Sequence, residues 1–189
     1  MMSFARKFIH VVYEFVEAFV ISASVFVVVY LFLMQPHQVK GNSMYPTFKD
    51  KEYLLTDKIT YNRQEPRYGD VIVFKAPTNE NFDYIKRVIA VPGQTVMIKS
   101  GHVFIDGKQL EEYYLSGEIV THAGQFLLEG ESYVVQPGEV MAFGDNRSHS
   151  SDSRDWGPVP EYNIVGRVFF RYWPTNVAGV ISNQTKAVN

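Results

Sequence analysis

Apolar positions are distributed in two ways along this chain. Near the N-terminus they run without interruption: 18–34 reads AFVISASVFVVVYLFLM, with two serines and no charge. A run this apolar on all faces predicts a membrane-crossing helix rather than a core helix. Val11, Val12, Tyr13, Phe15 and Val16 lengthen it, so the predicted anchor spans 11–34, after a short N-terminal segment at 1–10. Arg6 and Lys7 precede the run. By the positive-inside rule the N-terminus then lies in the cytoplasm and the remainder outside, as a single-pass protein of the cell membrane. A cleaved signal peptide fits less well. Ser22-Ala23-Ser24 lies inside the apolar run, and Met34-Gln35-Pro36 makes a poor cleavage site.

Beyond residue 35 the pattern becomes short apolar runs punctuated by turn formers, which predicts strands. Candidates are 53–56, 71–74, 84–91, 95–98, 102–105, 132–135, 139–143 and 164–173. Ser100-Gly101 joins two of them as a tight hairpin, and Asp106-Gly107 marks another turn. Residues 111–130 show weak periodicity and read as a loop-rich insertion, and a flexible tail is expected at 179–189. The fold class is therefore mainly β: a β-sheet domain at 35–178 behind one N-terminal transmembrane helix.

Composition narrows the chemistry. The chain has 189 residues, a net charge of −2 and no cysteine. No Lys/Arg run suggests nucleic-acid binding. Disulfides, thiolate metal sites and a cysteine nucleophile are excluded. The histidines have no HExxH-like spacing, so neither a metal nor another cofactor is expected.

Three stretches can carry chemistry. Gly41-Asn42-Ser43-Met44-Tyr45-Pro46-Thr47 places a serine on a bent, stiff segment just past the anchor, close to the membrane surface. In Tyr84-Ile85-Lys86-Arg87-Val88-Ile89, strand alternation sets Lys86 between Tyr84 and Val88 on one face. A lysine desolvated there loses its proton more readily and can serve as a base for a serine. The polar stretch 144–157 contains Asp145, Asn146, Arg147, Ser148, His149, Ser150, Ser151, Asp152 and Arg154. Asp145 or Asp152 paired with Arg87 or Arg154 would brace such a site, and a serine hydroxyl could orient the lysine. His149 is an alternative base, the only histidine near these residues in sequence.

Taken in order, Gly-x-Ser-Met-x-Pro-Thr, Gly-Asp-x-Ile-Val-Phe, Tyr-Ile-Lys-Arg-Val-Ile-Ala-x-Pro-Gly and Gly-Asp-Asn-Arg-x-x-Ser-x-Asp-Ser-Arg resemble bacterial type I signal peptidase, in its shorter Gram-positive-like form. The resemblance covers about 39–174. It implies a membrane-bound serine endopeptidase that removes signal peptides from exported preproteins after small residues, of the Ala-x-Ala type. It implies a twisted antiparallel β-sheet core with a small variable β insertion at 96–135. By the same resemblance Ser43 matches the nucleophile, Lys86 the general base and Ser150 the serine that orients the lysine. Asp145, Asp152, Arg87 and Arg154 match the supporting charges. The Ser43 N–H and the Gly41 region are expected to form the oxyanion hole, and Val39, Met44, Asp83, Tyr84 and Ile85 to line the substrate site. The partners implied are secretory preproteins and the lipid bilayer, with no nucleic acid and no metal.

Three positions depart from the pattern. Some members carry a serine at the place of Gly41, whose hydroxyl completes the oxyanion hole. Lys40 replaces an apolar residue or proline, and Gln94 stands where an aspartate often follows Pro-Gly. Two other readings use the same residues: a catalytically silent membrane-anchored binding module, and a self-cleaving Ser–Lys protein of the same fold.

Overall fold

The computed structural model describes residues 2–77, 79–115 and 119–181. Helix α1 (Met2–Val28) holds the apolar run as far as Val28. Its 27 residues reach about 40 Å at 1.5 Å per residue, longer than the ~30 Å hydrocarbon core of a bilayer. Within it, 6–28 qualifies as a membrane span by length and composition, and none of that stretch is covered by the rest of the protein. The helix fits a membrane anchor.

A π-helical turn, Val29–Leu33, ends the helix, and the chain extends directly into β1 (Met34–Gln38). Met34, expected at the end of the span, therefore belongs to the sheet. Apolarity alone does not separate the two states, because Met34 fits a helix and a half-buried strand equally well. Pro36 is accommodated because β1 is an outer strand.

The main sheet continues with β2 (Tyr53–Asp57), β3 (Val71–Ala76) and β4 (Asn79–Ala90). A second sheet follows: β5 (Thr95–Lys99), β6 (His102–Ile105), β7 (Lys108–Gln109) and β8 (Ser132–Val134). The chain then returns to the main sheet through β9 (Glu139–Phe143), the short helix α2 (Ser153–Trp156), β10 (Val159–Pro160), β11 (Ile164–Trp173) and β12 (Gly179–Val180). The main sheet runs β1-β2-β11-β3-β4-β9-β10, antiparallel throughout, with β12 on β11. The second sheet runs β7-β6-β5-β8. The expected turn at Ser100-Gly101 has φ of 51° and 81°, and Asp106-Gly107 has 52° and 79°, the left-handed pairs that tight hairpins require. Residues 179–181, expected to open the tail, instead pair along β11, and Ile181 N–H donates to Phe169 O. The rest of that expected tail lies outside the described residues.

The two sheets share one core. Ile89, Ala90, Met141 and Phe143 from the main sheet pack with Val96, Ile98, Val103, Ile105, Leu110, Leu127 and Val135. Across the main sheet, Val39, Met44, Phe48 and Leu54 pack on Val71, Val73 and Val168, which fastens the segment after β1 to the sheet. Fully burying a side chain such as Phe48 or Leu54 contributes about 1.5–3 kcal/mol. This packing fixes the start of the 41–47 turn.

Candidate active site

Ser43 sits in the turn between β1 and β2. Gly41 opens that turn at φ 84°, a conformation strained for any residue with a Cβ. Met44 is buried beneath it and holds the turn down on the core. From the other side, Asn146 N–H donates to Ser43 O at 3.0 Å, and Asn146 Nδ2 donates to Asn42 O at 3.0 Å. The turn is thereby tied to the 144–157 loop, about 100 residues away in sequence.

Lys86 projects from the middle of β4, and its Nζ lies 2.8 Å from Ser43 Oγ. The residue is only 4% exposed. Burial pushes its amine down to about 8, from an ordinary value near 10.5. The Asp152 carboxylate opposes that shift, the Arg154 guanidinium adds to it, and Asp145 opposes it. A buried neutral amine at hydrogen-bond distance from a serine hydroxyl can take its proton. His149, the alternative base, is exposed and its Nδ1 faces Ser148 Oγ at 2.9 Å instead.

The four supporting charges form two buried pairs. Arg87 grips Asp145 in a two-point fork, Nε to Oδ1 at 2.9 Å and Nη2 to Oδ2 at 2.7 Å. Arg154 Nε and Nη2 reach Asp152 Oδ1 and Oδ2 at 2.7 and 2.8 Å. Asp152 also caps α2 by accepting from Arg154 N–H, and it accepts from Gly144 N–H at 2.9 Å. Thr47, not singled out from sequence, donates to Asp145 Oδ2 at 2.5 Å and so joins the nucleophile turn to the first pair.

Two expectations change. Gly41 N–H does not face an incoming oxyanion freely, because it donates to Asp50 Oδ1 at 2.8 Å. A carboxylate seven positions after the nucleophile satisfies that donor, and nothing in the local pattern signals it. Ser43 N–H, by contrast, donates to no partner among the described residues. Ser150 Oγ is buried but makes no hydrogen bond, so in this state it does not hold the Lys86 amine. It packs against Gly144. A Cβ at residue 144 would lie 2.1 Å from Ser150 Oγ and 2.5 Å from Ser43 O, so Ser150 sits beside the nucleophile's own carbonyl.

A cleft of about 250 Å³ opens over the dyad. Val39, Met44, Asp83, Tyr84 and Ile85 all line it, with Ser43, Lys86, Gln38, Lys40 and Ser151. One edge of β4 is open there. Residues 83–86 pair with β3, whereas β9 pairs only with Arg87, Val88 and Ala90. Among the described residues there is no cluster of three or more His, Cys, Asp or Glu able to hold a metal ion.

The chain is similar to known proteins over most of its length. The family described as signal peptidase, peptidase S26, matches residues 12–173. The chain is 36% identical over 175 residues to signal peptidase IB of Staphylococcus aureus (strain Mu50), which covers 85% of this chain and 91% of that relative. It is 36% identical over 161 residues to a probable signal peptidase I-1 of a Synechocystis species, with 82% and 79% covered. A crystal structure of a signal peptidase I from Enterococcus faecalis V583 aligns at a TM-score of 0.45 and 28% identity, over 55% of this chain and 97% of that one.

Proposed function

Since the chain belongs to the signal peptidase family, peptidase S26, we propose that its reaction is carried by Ser43 as nucleophile and Lys86 as general base. The protein is a serine endopeptidase that cleaves signal peptides from preproteins. The observation that carries the residue assignment is the 2.8 Å contact between Ser43 Oγ and a buried lysine amine whose proton affinity is lowered.

In this reading a signal peptide lies extended in the cleft and adds a strand to the open edge of β4 at residues 83–86. Val39, Met44, Tyr84 and Ile85 leave room for alanine-sized side chains before the scissile bond. Ser43 Oγ attacks the carbonyl carbon while its proton passes to Lys86 Nζ. The oxyanion accepts from Ser43 N–H. The Lys86 ammonium protonates the leaving amine, which departs as the new N-terminus of the mature protein. Neutral again, Lys86 takes a proton from water as the water oxygen attacks the acyl-enzyme ester, then returns that proton to Ser43 Oγ as the ester bond breaks, and the signal peptide leaves with a new C-terminal carboxylate. Ser150 enters when Lys86 is charged: its buried, unpartnered hydroxyl accepts from the ammonium and holds it in line. Asp145, Asp152, Arg87 and Arg154 keep the loop and the turn in register. The catalytic domain faces the extracytoplasmic side, with the N-terminus inside.

The test is cleavage of a preprotein with an Ala-x-Ala site by the full-length protein in detergent, with the new N-terminus mapped. Ser43→Ala and Lys86→Arg are each expected to abolish cleavage with circular dichroism unchanged, since arginine does not give up its proton in proteins. Activity retained by either variant would refute its assigned role. The same assay rejects a silent binding module, and mapping the protein's own termini rejects a self-cleaving one.

A further inference from the structure

The segment between β7 and β8 does more than decorate the fold. Its Glu112, Tyr114 and Thr121 converge on Arg147, inside the 144–157 loop. Arg147 is almost wholly buried, and its guanidinium is held by several hydrogen bonds. Nε donates to Gly144 O at 3.1 Å, and Nη1 donates to Glu112 Oε2 and to Thr121 Oγ1, each at 2.8 Å. Nη2 donates to Glu112 Oε1 and, at 3.3 Å, to Tyr114 Oη. The Tyr114 hydroxyl in turn donates to Glu112 Oε1. The ring of Tyr114 covers the Arg87 guanidinium at 4.0 Å, on the residue next to Lys86.

We propose that Glu112 and Tyr114 are positioning residues of the peptidase: they clamp Arg147 and Arg87, and through them the loop and turn that hold the dyad. This rests on the assignment of Ser43 and Lys86 above. The path is short and physical. Arg147 holds Gly144 O, and Gly144 abuts both Ser150 Oγ and Ser43 O. Arg87 holds Asp145, which accepts from Thr47 in the nucleophile turn. Two arginines this deeply buried need their partners, since a guanidinium cannot shed its charge and its desolvation is otherwise uncompensated. With Glu112 neutralised, Arg147 has no carboxylate partner and is driven towards water. With the Tyr114 ring removed, the Arg87 face opens to water. Either change displaces groups in contact with the nucleophile without touching the substrate cleft. The expected signature is therefore a loss in kcat with KM preserved.

The experiment uses the full-length protein and one Ala-x-Ala preprotein, assayed well below each variant's melting temperature. Glu112→Gln and Tyr114→Ala are expected to lose on the order of 10-fold in kcat, with KM within two-fold, as misalignment of reacting groups does. Tyr114→Phe keeps the ring over Arg87 and is expected to stay within two- to three-fold of wild type. If Glu112→Gln or Tyr114→Ala fails to fold, the double variant Glu112→Gln/Arg147→Met removes both charges and restores a compact core. It is expected to melt cooperatively and still lack about 10-fold in kcat, because the grip on Gly144 O is gone. A wild-type kcat in either folded single variant, or in the double variant, would overturn the proposal, as would a loss expressed wholly in KM. Wild-type cleavage that requires Ser43 and Lys86 is the control. Its absence would refute the functional reading, whereas intact turnover in the clamp variants refutes the clamp alone.

Discussion

At the scale of single residues, the chemistry depends on how Lys86 is desolvated. An amine titrating at about 8 is partly neutral at pH 7 and mostly neutral at pH 9. The limb of kcat/KM is therefore expected to rise through about pH 8 in the free enzyme and to vanish under acid. A pH–rate profile on one preprotein checks it. A limb near 10.5 would mean that the site does not desolvate the lysine. The same shift has a stability consequence. The folded value lies below the unfolded one, so burying Lys86 costs stability in full below about pH 8, and the cost fades as pH rises towards 10.5. A shift of this size corresponds to about 3 kcal/mol as an upper figure. Lys86→Met is accordingly expected to be inactive yet to melt higher at pH 7, with its advantage shrinking by pH 10. Thermal melts at the two pH values decide this. A lower melting temperature at pH 7 would show that the Ser43 contact outweighs desolvation.

At the scale of elements, the 144–157 loop is ordered by carboxylates. Asp152 receives Gly144 N–H, Arg154 N–H and two guanidinium N–H groups while itself fully buried. Asp152→Asn leaves Arg154 buried without its counter-charge, which typically costs about 3–5 kcal/mol. Its urea midpoint is expected to fall with the m-value unchanged. Gly144→Ala acts at the same place by sterics, because the new Cβ would sit 2.1 Å from Ser150 Oγ and 2.5 Å from Ser43 O. That variant is expected to lose nearly all cleavage while Gly179→Ala, at an ordinary backbone conformation with no atom within 4 Å of the added Cβ, keeps the site intact. Comparable activities in the two would show that the 144 contact is unimportant.

At the scale of the whole molecule, one outer strand connects the apolar helix to the β domain that carries Ser43 and Lys86. β1 follows α1 after a single π-helical turn, and the nucleophile turn follows β1. Only four residues separate Gln38 from Ser43, so the cleft lies close to the end of the helix. The proposed orientation places Arg6 and Lys7 inside by the positive-inside rule, and on that proposal added protease is expected to digest the β domain in intact spheroplasts. Protection of that domain until the membrane is lysed would reverse the orientation.

What the sequence determined by itself was local. The apolar run, the hairpin turns at Ser100-Gly101 and Asp106-Gly107, and the alternation that sets Lys86 between Tyr84 and Val88 depend only on neighbours along the chain. Ser43 and Lys86 could be picked out by residue type and by the order of their motifs, and Arg87–Asp145 was one of several pairings that charge allowed. The tertiary structure decided the rest, because those outcomes depend on which atoms meet across the sheets. It set Lys86 Nζ against Ser43 Oγ rather than against Ser150, and it gave Gly41 N–H to Asp50. It also turned the weakly periodic segment around Glu112 and Tyr114 into the cover of two buried arginines. Periodicity carries no record of such contacts, since a polar side chain in an irregular loop reads the same whether it meets water or a guanidinium 35 residues away.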